Sequence, residues 1–163
     1  MVRPRFIVCS EGRSIDKITN LVTFYNVIDQ LTTTISSPEP KQPVFFGLPI
    51  HLSAVWMRER DSEKEIEYEA EIRLFSPGSE EPAVLHPDNF RFGQHRFFRI
   101  DALIRPGLSG NETLKLELRD GIMRLECRIR PVGETEWLSQ DYPIPVRVNR
   151  PKSSDAETGS SDE

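Results

Sequence analysis

The chain has 163 residues, 37% hydrophobic and 29% charged, with 21 Lys and Arg against 26 Asp and Glu and a net charge of −5. That length suits one well-buried core and is short for two, and the acidic balance opposes indiscriminate attraction to phosphate backbones. No apolar run reaches the roughly 18 residues of a membrane-spanning helix, and Cys9 and Cys127 stand in no Cys-x-x-Cys spacing.

Taken in order, Met1 to Glu11 holds too short an apolar run for a signal segment, so a cytoplasmic location is expected. Phe6 to Cys9 predicts a short strand ending at Ser10-Glu11-Gly12, and Arg13 to Asn20 predicts a connection. Leu21 to Ile28 is β-branched and aromatic on both parities, which predicts a central strand with both faces covered, continuing weakly through Leu31 to Ile35. Three prolines between Ser36 and Pro43 require a loop. Ile50, Leu52, Ala54 and Trp56 share one parity with Phe46 and Leu48, as in a long strand bent near Pro49. Beyond the charged turn Arg58 to Glu65, Ile66, Tyr68, Ala70, Ile72 and Leu74 alternate with Glu67, Glu69, Glu71 and Arg73, predicting a strand with one wet face.

Ser76 to Pro82 is turn chemistry, and Ala83 to Gly93 reads as a short strand and an irregular loop. Phe98, Ile100, Ala102 and Ile104 predict a strand ending at Pro106-Gly107. Asp120-Gly121 then interrupts two alternating runs, Leu114 to Arg119 and Ile122 to Ile129, and predicts a hairpin on a type I′ turn. In that register Leu118 faces Met123, Leu116 faces Leu125 and Leu114 faces Cys127, while Glu117 meets Arg124 and Lys115 meets Glu126 on the other side. Each such pair contributes roughly 0.2–1 kcal/mol. Tyr142, Ile144, Val146 and Val148 alternate with Pro143, Pro145 and Arg147, predicting an edge strand. From Arg150 the chain is polar, with Asp155, Glu157, Asp162 and Glu163, and predicts a disordered acidic tail over 150–163 behind a single domain at 1–149.

Seven or eight strands, no convincing helix and turns rich in Pro and Gly predict an all-β fold of two packed antiparallel sheets, a partly closed barrel being the alternative. Trp56, Tyr68, Phe98, Leu116, Leu125 and Ile144 are the core candidates.

No catalytic, cofactor or metal constellation stands out. His51, His86 and His95 share no ligand spacing, and His86-Pro87-Asp88 sits between β segments as turn chemistry. Cys9 and Cys127 are expected to be buried and inert. No Gly-x-Ser-x-Gly, Walker loop or dinucleotide fingerprint occurs, and Asn111-Glu-Thr113 reads as a turn. The arginines at 91, 96, 99, 105, 124, 128 and 130 would share a face if the 95–105 strand lay beside the hairpin, as a nucleic-acid or acidic-partner site needs.

Phe6-Ile-Val-Cys-Ser-Glu11, followed by Asn20-Leu-Val-Thr-Phe-Tyr-Asn-Val-Ile-Asp29, resembles the start of a family of uncharacterised small bacterial proteins. Its members open with a hydrophobic strand ending near an acidic residue, then a second strand carrying an Asn/Gly-Val-apolar-Asp ending. The order of later strands is also similar over roughly residues 5–148, while the proline-rich loop at 38–43 and the acidic tail depart from it. The resemblance implies a compact immunoglobulin-like β-sandwich in the bacterial cytoplasm. It implies no activity, because the family is a domain of unknown function with no catalytic residues to carry over.

Function is therefore expected to be binding without catalysis, and without cofactor or metal, to another protein. Lys115, Glu117, Arg124, Glu126 and Arg128 form the expected interaction surface. The alternatives are a ligand or hydrolytic site assembled from His51, His86, Asp88 and His95, and nucleic-acid binding through the arginine face.

Overall fold

The computed structural model describes residues 1–16, 22–34, 49–104 and 119–149, and no α-helix occurs among them. Their strands, in chain order, are β1 (Val2–Ile15), β2 (Val22–Val27), β3 (Leu31–Thr34), β4 (Ile50–Arg58), β5 (Glu67–Phe75), β6 (Pro82–Leu85), β7 (Phe90–Arg91), β8 (Phe97–Ile104), β9 (Gly121–Pro131) and β10 (Leu138–Asn149). One sheet has the order β2-β1-β4-β8. The other runs β3-β10-β9-β5-β6, with β7 also paired to β5.

The period-2 pattern decides which residues enter the core. β4 turns Ile50, Leu52, Ala54 and Trp56 inward, β5 turns Tyr68, Ala70, Ile72 and Leu74, and β9 turns Met123, Leu125, Cys127 and Ile129. With Ile100 and Ile104 of β8 and Ile144, Val146 and Val148 of β10 they make one apolar cluster drawn from both sheets. Rings close part of it: Phe90 stacks on Tyr68 at 5.6 Å and on Phe98 at 3.9 Å, and Phe92 meets both Tyr68 and Phe98 edge-on. Tyr68, beside Phe90 and Phe92, has its hydroxyl pKa pushed up to about 12 by burial and then by the Glu63 charge.

Several expectations change. β1 does not end at Gly12 but runs on to Ile15, because Gly12 to Ile15 find a partner in β2, with Gly12 opposite Tyr25 and Ile15 opposite Val22. β2 is an edge strand rather than a central one; Tyr25 and Val27 are both half exposed. Its β-branched and aromatic composition measures fit to a pleated surface, and that fit does not require burial on both faces. The chain then leaves this sheet at the buried Ile28, and β3 joins the other sheet parallel to β10 instead of continuing β2. Ile66, expected inside, precedes β5 and is exposed.

Residues 114–118 of the expected hairpin lie outside the described residues, as do Lys115, Leu116 and Glu117 individually, but β9 itself excludes most of the expected pairing. From Arg124 to Ile129 one edge of β9 is bonded to β10 and the other to β5: Leu125 stands between Tyr142 and Leu74, and Cys127 between Gln140 and Ile72. A strand has two edges, so none remains there for a third partner. Asp120 also lacks the positive φ that a type I′ turn requires; Asn26 is the non-glycine described residue that has one. Gly121 is needed for a different reason: its φ is +143°, and a Cβ there would meet the Pro77 Cβ at 3.0 Å.

β10 is an edge strand over part of its length. Pro143 and Pro145 fall where β9 is its neighbour on one side, whereas from Val146 to Asn149 β3 covers the other side. Proline is tolerated because its missing N–H falls where no described strand accepts it.

Candidate functional site

The outer face of the second sheet carries Arg124, Glu126 and Arg128 of the expected interaction surface, Lys115 and Glu117 lying outside the described residues, and its charges are already matched. Register places Glu69 opposite Arg130, Glu71 opposite Arg128 and Arg73 opposite Glu126. The contacts follow: Arg130 Nε to Glu69 Oε1 is 2.7 Å, Arg128 donates to Glu71 Oε2 through Nε at 2.9 Å and Nη2 at 2.5 Å, and Arg73 Nη1 lies 3.4 Å from Glu126 Oε2. Arg91 Nη2 reaches Glu67 at 2.8 Å. Arg124 instead lies over the Phe75 ring, 4.1 Å from its centroid, and Trp137 takes both Arg128 and Arg130 on its ring at 4.2 Å each. Thus Arg124, Glu126 and Arg128 have partners on β5, in place of the Glu117 and Lys115 expected for the first two. The signal is present in the sequence: Glu69-x-Glu71-x-Arg73 and Glu126-x-Arg128-x-Arg130 are complementary in sign when run antiparallel. Trp137 carried no such pattern, since it lies just before β10, outside any alternating run.

The outer face of the first sheet is different in kind. Rows across β1, β4 and β8 read Arg3, Met57, Phe97; Phe6, Val55, Arg99; Val8, Ser53, Asp101; and Ser10, His51, Leu103. Phe6 is 48% exposed, Phe97 50% and Leu103 40%, and Phe24 of β2 meets Phe6 edge-on at 6.5 Å. Bulky apolar groups on the solvent side of a sheet mark a surface that can exclude water from a partner.

Within this apolar setting sits a polar cluster. Asp101 Oδ1 accepts from Ser53 Oγ at 2.6 Å and pairs with Arg13 Nη1 at 2.5 Å, and Asp101 Oδ2 accepts from Arg99 Nε at 2.8 Å. Burial raises the Asp101 pKa, but the hydrogen bonds from Ser53, Arg13 and Arg99 and the Arg13 charge outweigh it, so the net shift is downward. Ser53 is fully buried although it faces outward. Neither Arg13 nor Asp101 was singled out by sequence reasoning, because they are 88 positions apart and join only through β4.

The histidines do not form one site. His51 stands opposite Ser10 near the start of β4, whereas the His95 carbonyl accepts from Arg58 Nε at the other end of that strand, roughly 23 Å away at the usual rise per residue. His86 and Asp88 are exposed in the loop after β6. The arginines are likewise divided: Arg99 lies in the first sheet on β8, which pairs with β4 rather than with β9, so it shares no face with Arg124, Arg128 and Arg130. Among the described residues no three His, Cys, Asp or Glu side chains are grouped to hold a metal ion, and no helix is long and apolar enough to cross a membrane.

Cys9 and Cys127 are buried and free, in different sheets. Burial pushes both thiol pKa values up to about 12. The native protein at pH 8 is therefore expected to react with a chromogenic disulfide reagent only as fast as it unfolds, and to yield two thiols at once in denaturant; immediate native labelling would show that an assigned burial is wrong.

No model of a known protein family matches this chain, and no curated protein matches it.

Proposed function

We propose that this chain is a non-enzymatic binding module of the bacterial cytoplasm that holds another protein on the outer face of its four-stranded sheet. The observation that carries the reading is the contrast between the two outer faces. One is a ladder of mutually neutralised carboxylates and guanidiniums. The other exposes Phe6, Phe97 and Leu103 around a compact polar centre, the arrangement of an apolar patch with a few orienting polar groups.

An immunoglobulin-like sandwich of the resembled family is the scaffold we assign to it. The successions β1-β4-β8 and β10-β9-β5 run in the A-B-E and G-F-C orders of such domains, which supports this assignment. Cys127 falls on the strand matching F, but β4, matching B, offers Leu52 and Ala54 inward, so the fold relies on packing where antibody domains add a disulfide.

Copurification from the native host tests the reading. Wild-type protein should recover a stoichiometric partner, and a Phe6→Asp/Phe97→Asp variant with an unchanged thermal melt should lose it. Recovery of no stoichiometric partner under gentle conditions, or equal recovery by both proteins, would count against it.

A further inference from the structure

The polar centre of the four-stranded face has an unbalanced charge. Arg13 and Arg99 approach opposite oxygens of one carboxylate, Asp101, so that the ion pairs of this cluster among the described residues set two guanidiniums against a single carboxylate. Toward Asp101, Arg99 uses Nε and Arg13 uses Nη1, and a planar guanidinium carries five N–H donors in all. The surrounding side chains are Phe6, Val55, Phe97 and Leu103, and a charged hydrogen bond formed among them is less weakened by water than one on an open surface.

Given the binding face proposed above, on which this step rests, we infer that its partner presents an acidic side chain flanked by apolar residues. The carboxylate docks on the Arg13 and Arg99 guanidiniums and completes an alternation of two cations with two anions, while the neighbouring apolar side chains cover Phe6 and Phe97. A peptide fits this surface better than a nucleic acid: a phosphate backbone is held by several spaced cations, whereas here a small positive surplus sits inside an apolar ring on a chain of net charge −5.

The probe is a random twelve-residue peptide library displayed on phage and selected on the full chain, the best peptide then being synthesised with a fluorophore for anisotropy titration. Selected peptides should carry Asp or Glu between apolar residues. Converting that acid to its amide, or Arg99→Gln in the protein, should weaken binding about tenfold or more, and rising salt should weaken it as well. Asp101→Asn keeps an acceptor for Ser53 and releases both guanidiniums, so it should bind the peptide at least as tightly as wild type; a merely structural cluster would lose binding with this change. Thermal melts of each variant separate lost contacts from lost folding. Carboxylate-free peptides that still require Phe6 and Phe97 would overturn this inference and leave the binding face standing. Peptides indifferent to Phe6→Asp/Phe97→Asp would overturn both. Binding of a fluorescent single-stranded oligonucleotide through Arg13 and Arg99, with no acidic peptide selected, would assign the cluster to phosphate instead.

Discussion

Replacing Trp56 with alanine is expected to remove about 3–5 kcal/mol of folding stability, the range for deleting a fully buried large aromatic side chain. Trp56 stands inward on β4, opposite Pro4 of β1 and Phe98 of β8, is fully buried, and its side chain reaches Cys127 in the facing sheet. The cost has two parts, the apolar area returned to water and the cavity left between two sheets whose backbones cannot collapse into it. Against a typical total of about 5–15 kcal/mol, the urea midpoint should fall steeply with little change in slope. Trp137→Ala is the matched control. That indole lies on the arginine ladder of the outer face, and its loss should cost no more than about 2 kcal/mol, since each exposed cation–π contact is worth roughly 0.5–1 kcal/mol. Equal losses for the two tryptophans would refute the inward placement of Trp56.

Asp101→Ala should cost about 2–3 kcal/mol, the largest effect expected of any outward-facing residue. It leaves the Ser53 hydroxyl and two guanidiniums without their shared acceptor in a largely covered site. Hydrogen bonds to charged groups are worth about 1.5–3 kcal/mol, and stripping one partner from a fully buried pair costs about 3–5 kcal/mol. With the Asp101 side chain 20% exposed, water recovers part of that loss. The same carboxylate gives the fold an acid-labile component. Its pKa is lower folded than unfolded, so its contribution is fully present above the unfolded value near about 3.9 and is lost as pH falls through the folded one. Glu63 behaves alike: burial raises its pKa, but the Met1 amine and the Arg60 and Glu59 N–H groups outweigh that and lower it. Stability measured in urea should therefore decline more gently between about pH 5 and pH 2, a window reaching roughly two units below the unfolded carboxylate values because the folded ones are lowered, in Asp101→Asn than in wild type, without becoming flat. An identical decline in both proteins would show that Asp101 is not preferentially ionised in the fold.

The strands that were legible are those with one wet face. In β5 and β9 the sequence alternates Glu or Arg with Tyr, Ile, Leu and Cys, and a strand that must bury one face and solvate the other can present that pattern in only one way. β4 and β8 are legible from the single parity of their apolar residues, Ile50, Leu52, Ala54 and Trp56 in one and Phe98, Ile100, Ala102 and Ile104 in the other. β1 and β2 are illegible where pattern is weak: Gly12-Arg13-Ser14-Ile15 is polar enough to read as a connection, yet pairing with β2 makes it strand. The alternation in β9 separates its outer charges from its core side but does not name their partners, which come from β5 rather than from the nearest sequence neighbours.

By itself, then, the amino-acid order determined the all-β class, the inward and outward parity of β4, β5, β8, β9 and β10, and the burial of both cysteines. These are local properties, because side-chain alternation is fixed by the backbone of a single strand. Which strand lies beside which was decided only in the tertiary structure. Asp120-Gly121 favours closing a hairpin, but β9 gains more by pairing on both edges with β5 and β10, where its apolar face enters the common core and its charged face meets opposite charges. In the other sheet, the pairing of β4 with β8 brings Ser53 beside Asp101 and its pairing with β1 lets Arg13 reach that carboxylate, so the polar centre of the exposed face exists only because β4 lies between those two strands.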